Sequence, residues 1–135
     1  MPLYRCLLRT DGTTYEQRHA IAGEITRIHC EITEAPPTFV HAFFSEDAEG
    51  QLGDGHAVVF GSIRAGRTDD QKRRLAEDMT ASVARILGVA TDTVTVATVD
   101  VPARWVMEGG AILPEPGEEA QWLAEHGHGG QSETG

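Results

Sequence analysis

Lysine is almost missing from this chain. Of its 11 basic residues only Lys72 is a lysine, and 21 acidic residues bring the formal net charge to -10 over 135 residues. A general nucleic-acid binder needs a basic footprint, and this balance excludes one. What positive charge there is comes almost wholly from arginine, the planar forked donor that suits carboxylates. A chain that repels anions overall must concentrate such charge to hold one, so any local arginine cluster is informative. Cysteine is scarce too. Cys6 and Cys30 have no metal-type spacing, and neither a disulfide framework nor a cysteine metal site is expected of them. No apolar run approaches the length that spans a bilayer, so no membrane partner is expected. The opening MPLYRCLLRTDG carries Arg5 and Arg9 within its apolar stretch and turns at Asp11-Gly12, which reads as a strand rather than a signal peptide. Cytoplasm is the expected location. There is no glycine-rich phosphate loop and no nucleophile elbow around a serine or cysteine, so neither a nucleotide cofactor nor a serine or cysteine nucleophile is expected. His126 and His128 form a His-x-His in a polar tail and do not make a metal site.

What the chain does have is an internal repeat. Residues 12–40 and 66–94 resemble each other at a constant offset of 54. Gly12 matches Gly66, Thr14 matches Thr68, Gln17 matches Gln71, Ala22 matches Ala76, Thr26 matches Thr80, Ile32 matches Ile86 and Val40 matches Val94. A repeat of this period is one supersecondary unit used twice. The unit reads as strand, helix, strand. Leu3 to Leu8 is a short apolar strand, and Thr14 with Gln17 forms a capping box. Ile21, Ile25, Ile28 and Ile32 recur at helical spacing, Pro36-Pro37 ends the helix, and Thr38 to Phe44 is the second strand. In the second copy His56 to Ile63 is a strand and Thr68 to Gln71 a capping box. Leu75, Met79, Val83, Ile86 and Leu87 make the helix stripe, and Asp92 to Val99 is a β-branched strand.

A crossover helix makes the strands within each unit parallel. The fold class is therefore α/β (α+β): tandem β-α-β repeats forming a four-stranded sheet with two helices on one face. One domain over residues 1–122 is expected, with repeats at about 2–45 and 56–102, an arm at 103–122 and a flexible tail at 123–135. Glu46 to Gly55 is an acidic, glycine-rich loop. Trp105 to Leu113, broken by Gly109-Gly110, reads as a hairpin, and residues 118–126 as one or two helical turns around Trp122 and Leu123. Two helices leave the other sheet face bare, which favours an oligomer.

Five residues can carry chemistry. Pro2 follows Met1, and a small second residue usually lets that methionine be removed. The chain would then start with a free prolyl amine. An α-amino group titrates at about 8, nearer neutrality than lysine, and suits general acid–base work. Its counterpart at offset 54 is His56, so the two copies diverge at this place. Arg64 and Arg67 lie between the third strand and the second helix, where parallel α/β units bind ligands, and two guanidiniums beside a helix N-terminus make a carboxylate site. His29 borders the isoleucine stripe of the first helix. Glu108 lies among apolar residues in the hairpin, where burial would raise its pKa and suit it to act as a base. Taken singly each has a plainer reading: an ordinary second residue, solvated arginines, a packed histidine, a hairpin charge.

Together these features resemble the tautomerase superfamily, and within it the cis-3-chloroacrylic acid dehalogenase and its homologues. The resemblance rests on MPLY at the start, Ile28-His29, the Arg64-Ala65-Gly66-Arg67 loop, Glu108-Gly109-Gly110, and Leu113-Pro114-Glu115-Pro116-Gly117, and spans Met1 to about Trp122. It implies that Pro2 is the catalytic proline and that Arg64 and Arg67 hold the substrate carboxylate. It also implies that His29 binds and polarises the substrate, that Glu108 positions or activates water, and that the chain forms a homotrimer without a cofactor. The chain departs from the dehalogenase in one respect. That enzyme carries a tyrosine in its last core strand. Counting back from Pro102, the place falls around Val96 and Ala97, where no tyrosine stands; Tyr4 matches a different position. The loop at 46–55 is also shorter. The leading expectation is enol–keto tautomerisation of a small 2-oxo acid. The alternatives are hydration or hydrolytic dehalogenation of a three-carbon unsaturated acid such as cis-3-chloroacrylate, and a non-catalytic trimeric binding protein.

Overall fold

The computed structural model describes residues 1–115 and 117–125, with Glu108 described by its backbone alone. Strand β1 (Leu3–Leu8) leads into helix α1 (Tyr15–Thr33) and strand β2 (His41–Glu46). Strand β3 (Ala57–Arg64), helix α2 (Asp69–Leu87) and strand β4 (Val94–Val101) repeat the pattern. A short hairpin, β5 (Met107–Glu108) and β6 (Ala111–Ile112), follows, and residues 119–125 are helical. The sheet runs β2-β1-β3-β4, parallel within each unit and antiparallel where β1 meets β3. This is the predicted fold. The tail beyond residue 125 lies outside the described residues. No helix among the described residues is long and apolar enough to cross a membrane.

The repeat becomes a pseudo-two-fold in space. At the centre of the β1–β3 ladder Arg5 faces Phe60 and Cys6 faces Val59, and each pair is the other's image under the offset. Both capping boxes form: Thr14 and Thr68 accept from the backbone N–H of Gln17 and Gln71, and each glutamine side chain accepts from the cap N–H. The same glutamines then reach across. Gln17 Nε2 donates to the Ile86 carbonyl at 3.4 Å, and Gln71 Nε2 to the Ile32 carbonyl at 3.2 Å. Each helix start thereby serves otherwise unpaired carbonyls at the other helix's end.

The isoleucine stripe and Leu75, Met79 and Val83 close over Tyr4, Cys6, Leu8, Val59 and Ile63 to form the core. Each such side chain contributes about 1.5–3 kcal/mol by leaving water. Among the described residues no helix covers the far face of the sheet, and Phe43, Phe60 and Val99 are exposed there. A second small cluster joins Met1, Ala103 and Leu113 to Leu3, Val101, Val106 and Trp122, tying the C-terminal arm to the chain start.

Three strand starts come later than the sequence predicts, that of β3 by one residue, at Ala57 and not His56. Pro37–Phe39 forms a 3-10 turn, with Phe39 N–H on the Pro36 carbonyl at 3.0 Å, so β2 begins at His41 and not Thr38. Proline's fixed φ suits the first position of a helical turn. Thr91–Thr93 makes the matching turn before β4.

Candidate active site

The turn at Pro37–Phe39 shapes the site, because it aims a carbonyl at the chain start. The Met1 amine donates to Phe39 O at 2.9 Å. Pro2 is buried, and its carbonyl accepts from His41 N–H at 3.0 Å. Burial and then the Arg64 charge lower the amine's pKa from 8.0 to about 6. The repeat explains the acceptor. In the second copy His56 N–H donates to Thr93 O at 2.8 Å, and His56 and Thr93 are the images of Pro2 and Phe39. An internal proline has no N–H to offer, so here the Met1 amine takes that carbonyl.

Arg64 ends β3 with its side chain only 2% exposed. It donates to the Pro114 carbonyl and to Glu119 Oε2, the latter at 2.9 Å. Gly66, at φ +109°, turns the chain in a conformation that costs glycine nothing, and Arg67 follows. Arg67 Nη1 reaches the Thr33 carbonyl at 3.4 Å, at the negative end of α1. Its Nε is buried with no hydrogen-bond partner. Burial, followed by Arg64, lowers its pKa.

His29 is 1% exposed on α1. Its Nδ1 lies 2.7 Å from the Tyr4 hydroxyl, the rings meeting edge-on at 5.6 Å. Burial raises the Tyr4 pKa, so the phenol is neutral and owns one proton. Donation of that proton to Nδ1 places the imidazole proton on Nε2. The opposite tautomer would strand a hydroxyl proton in the core. Burial, Arg67, the N-terminal amine and Arg64, in that order, lower the His29 pKa to about 3. The ring is therefore a neutral donor, and its Nε2 is buried without a partner.

The amine, Arg64, Arg67 and His29 thus lie within reach of one another's charge, each cation disfavouring the next. A chain of net charge -10 has gathered them at one end of its sheet. Two buried donors, Arg67 Nε and His29 Nε2, have no partner among the described residues. Among the described residues no cluster of His, Cys, Asp or Glu has the makings of a metal site. Glu108 pairs with Ala111 across a turn in which Gly109 and Gly110 both have positive φ, as such two-residue turns require.

A family model described as "Tautomerase enzyme" matches residues 62–113. The protein called "Probable tautomerase bsl7456" of Bradyrhizobium diazoefficiens is 37% identical over 54 residues, which are 40% of this chain and 81% of that one. The crystal structure of N1, a member of the cis-3-chloroacrylic acid dehalogenase family, superposes with a TM-score of 0.90 at 33% identity, over 97% of this chain and 96% of that one. The chain belongs to the tautomerase superfamily. Within that superfamily it falls in the group resembling cis-3-chloroacrylic acid dehalogenase. A solved fused 4-OT, at 22% identity and a TM-score of 0.74 over 82% of this chain and 94% of that one, shares the tautomerase fold.

Sequence reasoning passed over three participants of this tautomerase-fold site. Tyr4 alternates with Cys6 and Leu8 and so reads as plain core. Its signal is the glycine opposite, Gly61, since a glycine inside a strand marks a close approach. The Phe39 carbonyl is visible only through the repeat. Glu119 carries no local signal at all.

Proposed function

We propose that the chain is a cofactor-independent tautomerase that interconverts the enol and keto forms of a small 2-oxo acid, with the Pro2 nitrogen as proton carrier once Met1 is removed. The observation that supports this reading best is the position of the Met1 amine, one residue ahead of Pro2: it lies on the Phe39 carbonyl, with burial and Arg64 lowering its pKa to about 6. Freed of Met1, the Pro2 nitrogen gains hydrogens and becomes the counterpart of His56 N, facing the same carbonyl. Burial and Arg64 disfavour charge at this place, and the unprotonated nitrogen can accept the enol hydroxyl proton. The carbonyl then forms, the alkene electron pair turns to carbon, and the ammonium returns the proton there. Arg64 and Arg67 hold the carboxylate, while His29 Nε2–H donates to the developing enolate oxygen. The bound anion also favours the protonated amine, so substrate itself raises the base's proton affinity.

The experiment pairs intact mass with kinetics. The mass should show Met1 lost, and Pro2→Ala should lower kcat/KM for a tautomerisable 2-oxo acid by about 100-fold or more. An unchanged kcat/KM removes Pro2 from the mechanism.

The assembly follows from the bare sheet face. Phe43, Phe60 and Val99 are apolar and exposed there, and a solved fused 4-OT of this fold is described as a trimer. A homotrimer covers such surface. Light scattering showing a stable monomer at micromolar concentration would refute it.

A second reading, hydration or hydrolytic dehalogenation of a three-carbon unsaturated acid, draws on the likeness to N1 over nearly the whole chain. Glu108 would then activate water. Glu108→Gln should abolish that reaction while sparing most tautomerisation. Equal damage to both would assign Glu108 to the fold or to the amine.

A further inference from the structure

Arg64, the guanidinium given above to the substrate, already has a carboxylate. Glu119 Oε2 accepts from its Nη2 at 2.9 Å, and the Pro114 carbonyl takes its Nη1. Glu119 is held in turn: the Gly117 N–H donates to its Oε1 at 2.8 Å and to Oε2 at 3.1 Å. The segment is pinned at both sides of this contact. Before it, Leu113 is buried in the cluster with Ala103, against which Leu3 and Val101 pack. After it, the Trp122 ring meets Phe39 edge-on at 5.6 Å, and its Nε1 donates to the Ile112 carbonyl at 2.7 Å. Phe39 is the residue whose carbonyl receives the N-terminal amine. Arg67, within reach of the charges of Arg64 and Glu119, keeps a buried Nε with no partner among the described residues.

We propose that Glu119 is a built-in competitor for the substrate carboxylate: it occupies the ligand position of Arg64, and an anionic guest engages both arginines only by displacing it. The inference rests on the reading that Arg64 and Arg67 hold a carboxylate. The chemistry is that of exchange. One carboxylate leaves a charge-assisted hydrogen bond as another takes it, so the apparent affinity for the guest is reduced by the fraction of molecules in which Glu119 is engaged. Such a competitor also favours guests with the strongest claim on a guanidinium pair. A neutral analogue gains nothing from Arg64 and leaves Glu119 in place. Burial opposes ionisation of Glu119, but the hydrogen bonds from Arg64 and Gly117 hold its carboxyl below the usual range, so it is charged and competing at neutral pH.

The experiment measures binding of pyruvate by calorimetry to the full chain, to Glu119→Gln, to Arg64→Ala and to the double variant. Glutamine keeps the shape and hydrogen-bonding capacity of Glu119 but not its charge. Glu119→Gln should bind pyruvate about tenfold more tightly, within the usual range of coupling between sites, and should gain nothing in the Arg64→Ala background. Unchanged or weaker binding in a folded Glu119→Gln overturns the proposal. If Arg64→Ala binds pyruvate as well as the parent chain does, the carboxylate site itself is wrong, which is a different failure. A second measurement needs no change at Glu119. In Trp105→Phe, Trp122 is the sole tryptophan. Its emission should shift as pyruvate saturates the protein, and an unmoved spectrum at saturation overturns the displacement.

Discussion

Gly61→Ala tests whether the Tyr4–His29 pair is held as tightly as its geometry implies. Gly61 faces Tyr4 across the β1–β3 ladder. A Cβ built there stands 2.4 Å from Tyr4 Cε1, 2.7 Å from Cδ1 and 3.2 Å from Cζ. Ordinary contact begins near 3.4 Å, so the ring must retreat by about 1 Å (3.4 less 2.4). It has nowhere free to go, being wholly buried under α1. Its hydroxyl is 2.7 Å from His29 Nδ1, and a displacement of that size is large enough to break a bond that holds only to about 3.5 Å. Overpacking costs about 1–3 kcal/mol, and the lost bond about another 1 kcal/mol. Gly61→Ala should therefore destabilise by about 2–4 kcal/mol.

Tyr4→Phe deletes the same bond without the clash and should cost about 1–3 kcal/mol, since it strands a buried ring nitrogen. Urea unfolding at fixed protein concentration gives the three differences, for the two single variants and the double. The double variant should cost less than the sum, because the bond is lost only once. Nitrogen NMR of His29 should show the proton on Nε2 in the parent chain and mixed tautomers in Tyr4→Phe. If Gly61→Ala costs under about 0.5 kcal/mol and leaves the tautomer in place, the ring is not locked and the argument for His29 as a fixed donor fails.

Three further outcomes follow from the same charges. Arg67→Ala should weaken carboxylate binding by about 1.5–3 kcal/mol, read as a higher KM with a smaller change in kcat. The acid limb of kcat/KM should lie below the ordinary α-amino value of about 8, because burial and Arg64 act against charge on an amine at the chain start and the base works only when unprotonated; a limb near 8 would show an unperturbed amine. Stability should decline as pH falls from 6.5 towards 3: the unfolded chain protonates His29 in that window while the native chain, with its pKa at about 3, does not. The His29 share of that slope is at most about 1.4 kcal/mol per pH unit and should be missing from His29→Gln, which keeps the share of carboxylates held low in the fold, such as Glu24 and Glu119.

The repeat, both capping boxes and the isoleucine stripe were legible in the sequence because each is local: a cap spans three residues and a stripe one helix face. Pro37–Phe39 misled for the same reason. Three residues at a strand's entrance look alike whether extended or in a 3-10 turn, and only the buried Phe39 ring settles it. Pro2, Arg64, Arg67 and His29 were legible as candidates by residue type and motif. Their partners were not. Tyr4 meets His29 across 25 positions and Arg64 meets Glu119 across 55, and such contacts need strand register and helix placement that no local pattern encodes. The glutamine bridges were within reach, since the repeat alone demands that what Gln17 does, Gln71 does too.

The same repeat says how many sites a chain has. Under the offset of 54 the image of His29 is Val83, that of Arg64 is Thr10, that of Arg67 is Thr13 and that of Tyr4 is Val58. Val83 is buried in the core, while Thr10 and Thr13 sit in the loop before α1. None of these can hold an anion by charge. The image of Pro2 is His56, an internal residue whose backbone nitrogen is an amide. So the two-fold that builds the scaffold is broken wherever a charge or a free amine is needed. The site's cations lie at one end of the sheet, while at the other Arg9 is engaged with the Gly55 carbonyl and Arg18 with Thr13. Each chain should then bind one pyruvate, whatever the number of chains in the assembly. Calorimetry reads this directly as the stoichiometry per chain. A value of two would mean that the second repeat has kept a site by means other than charge, and the assignment of the site to the cluster around the chain start would fall.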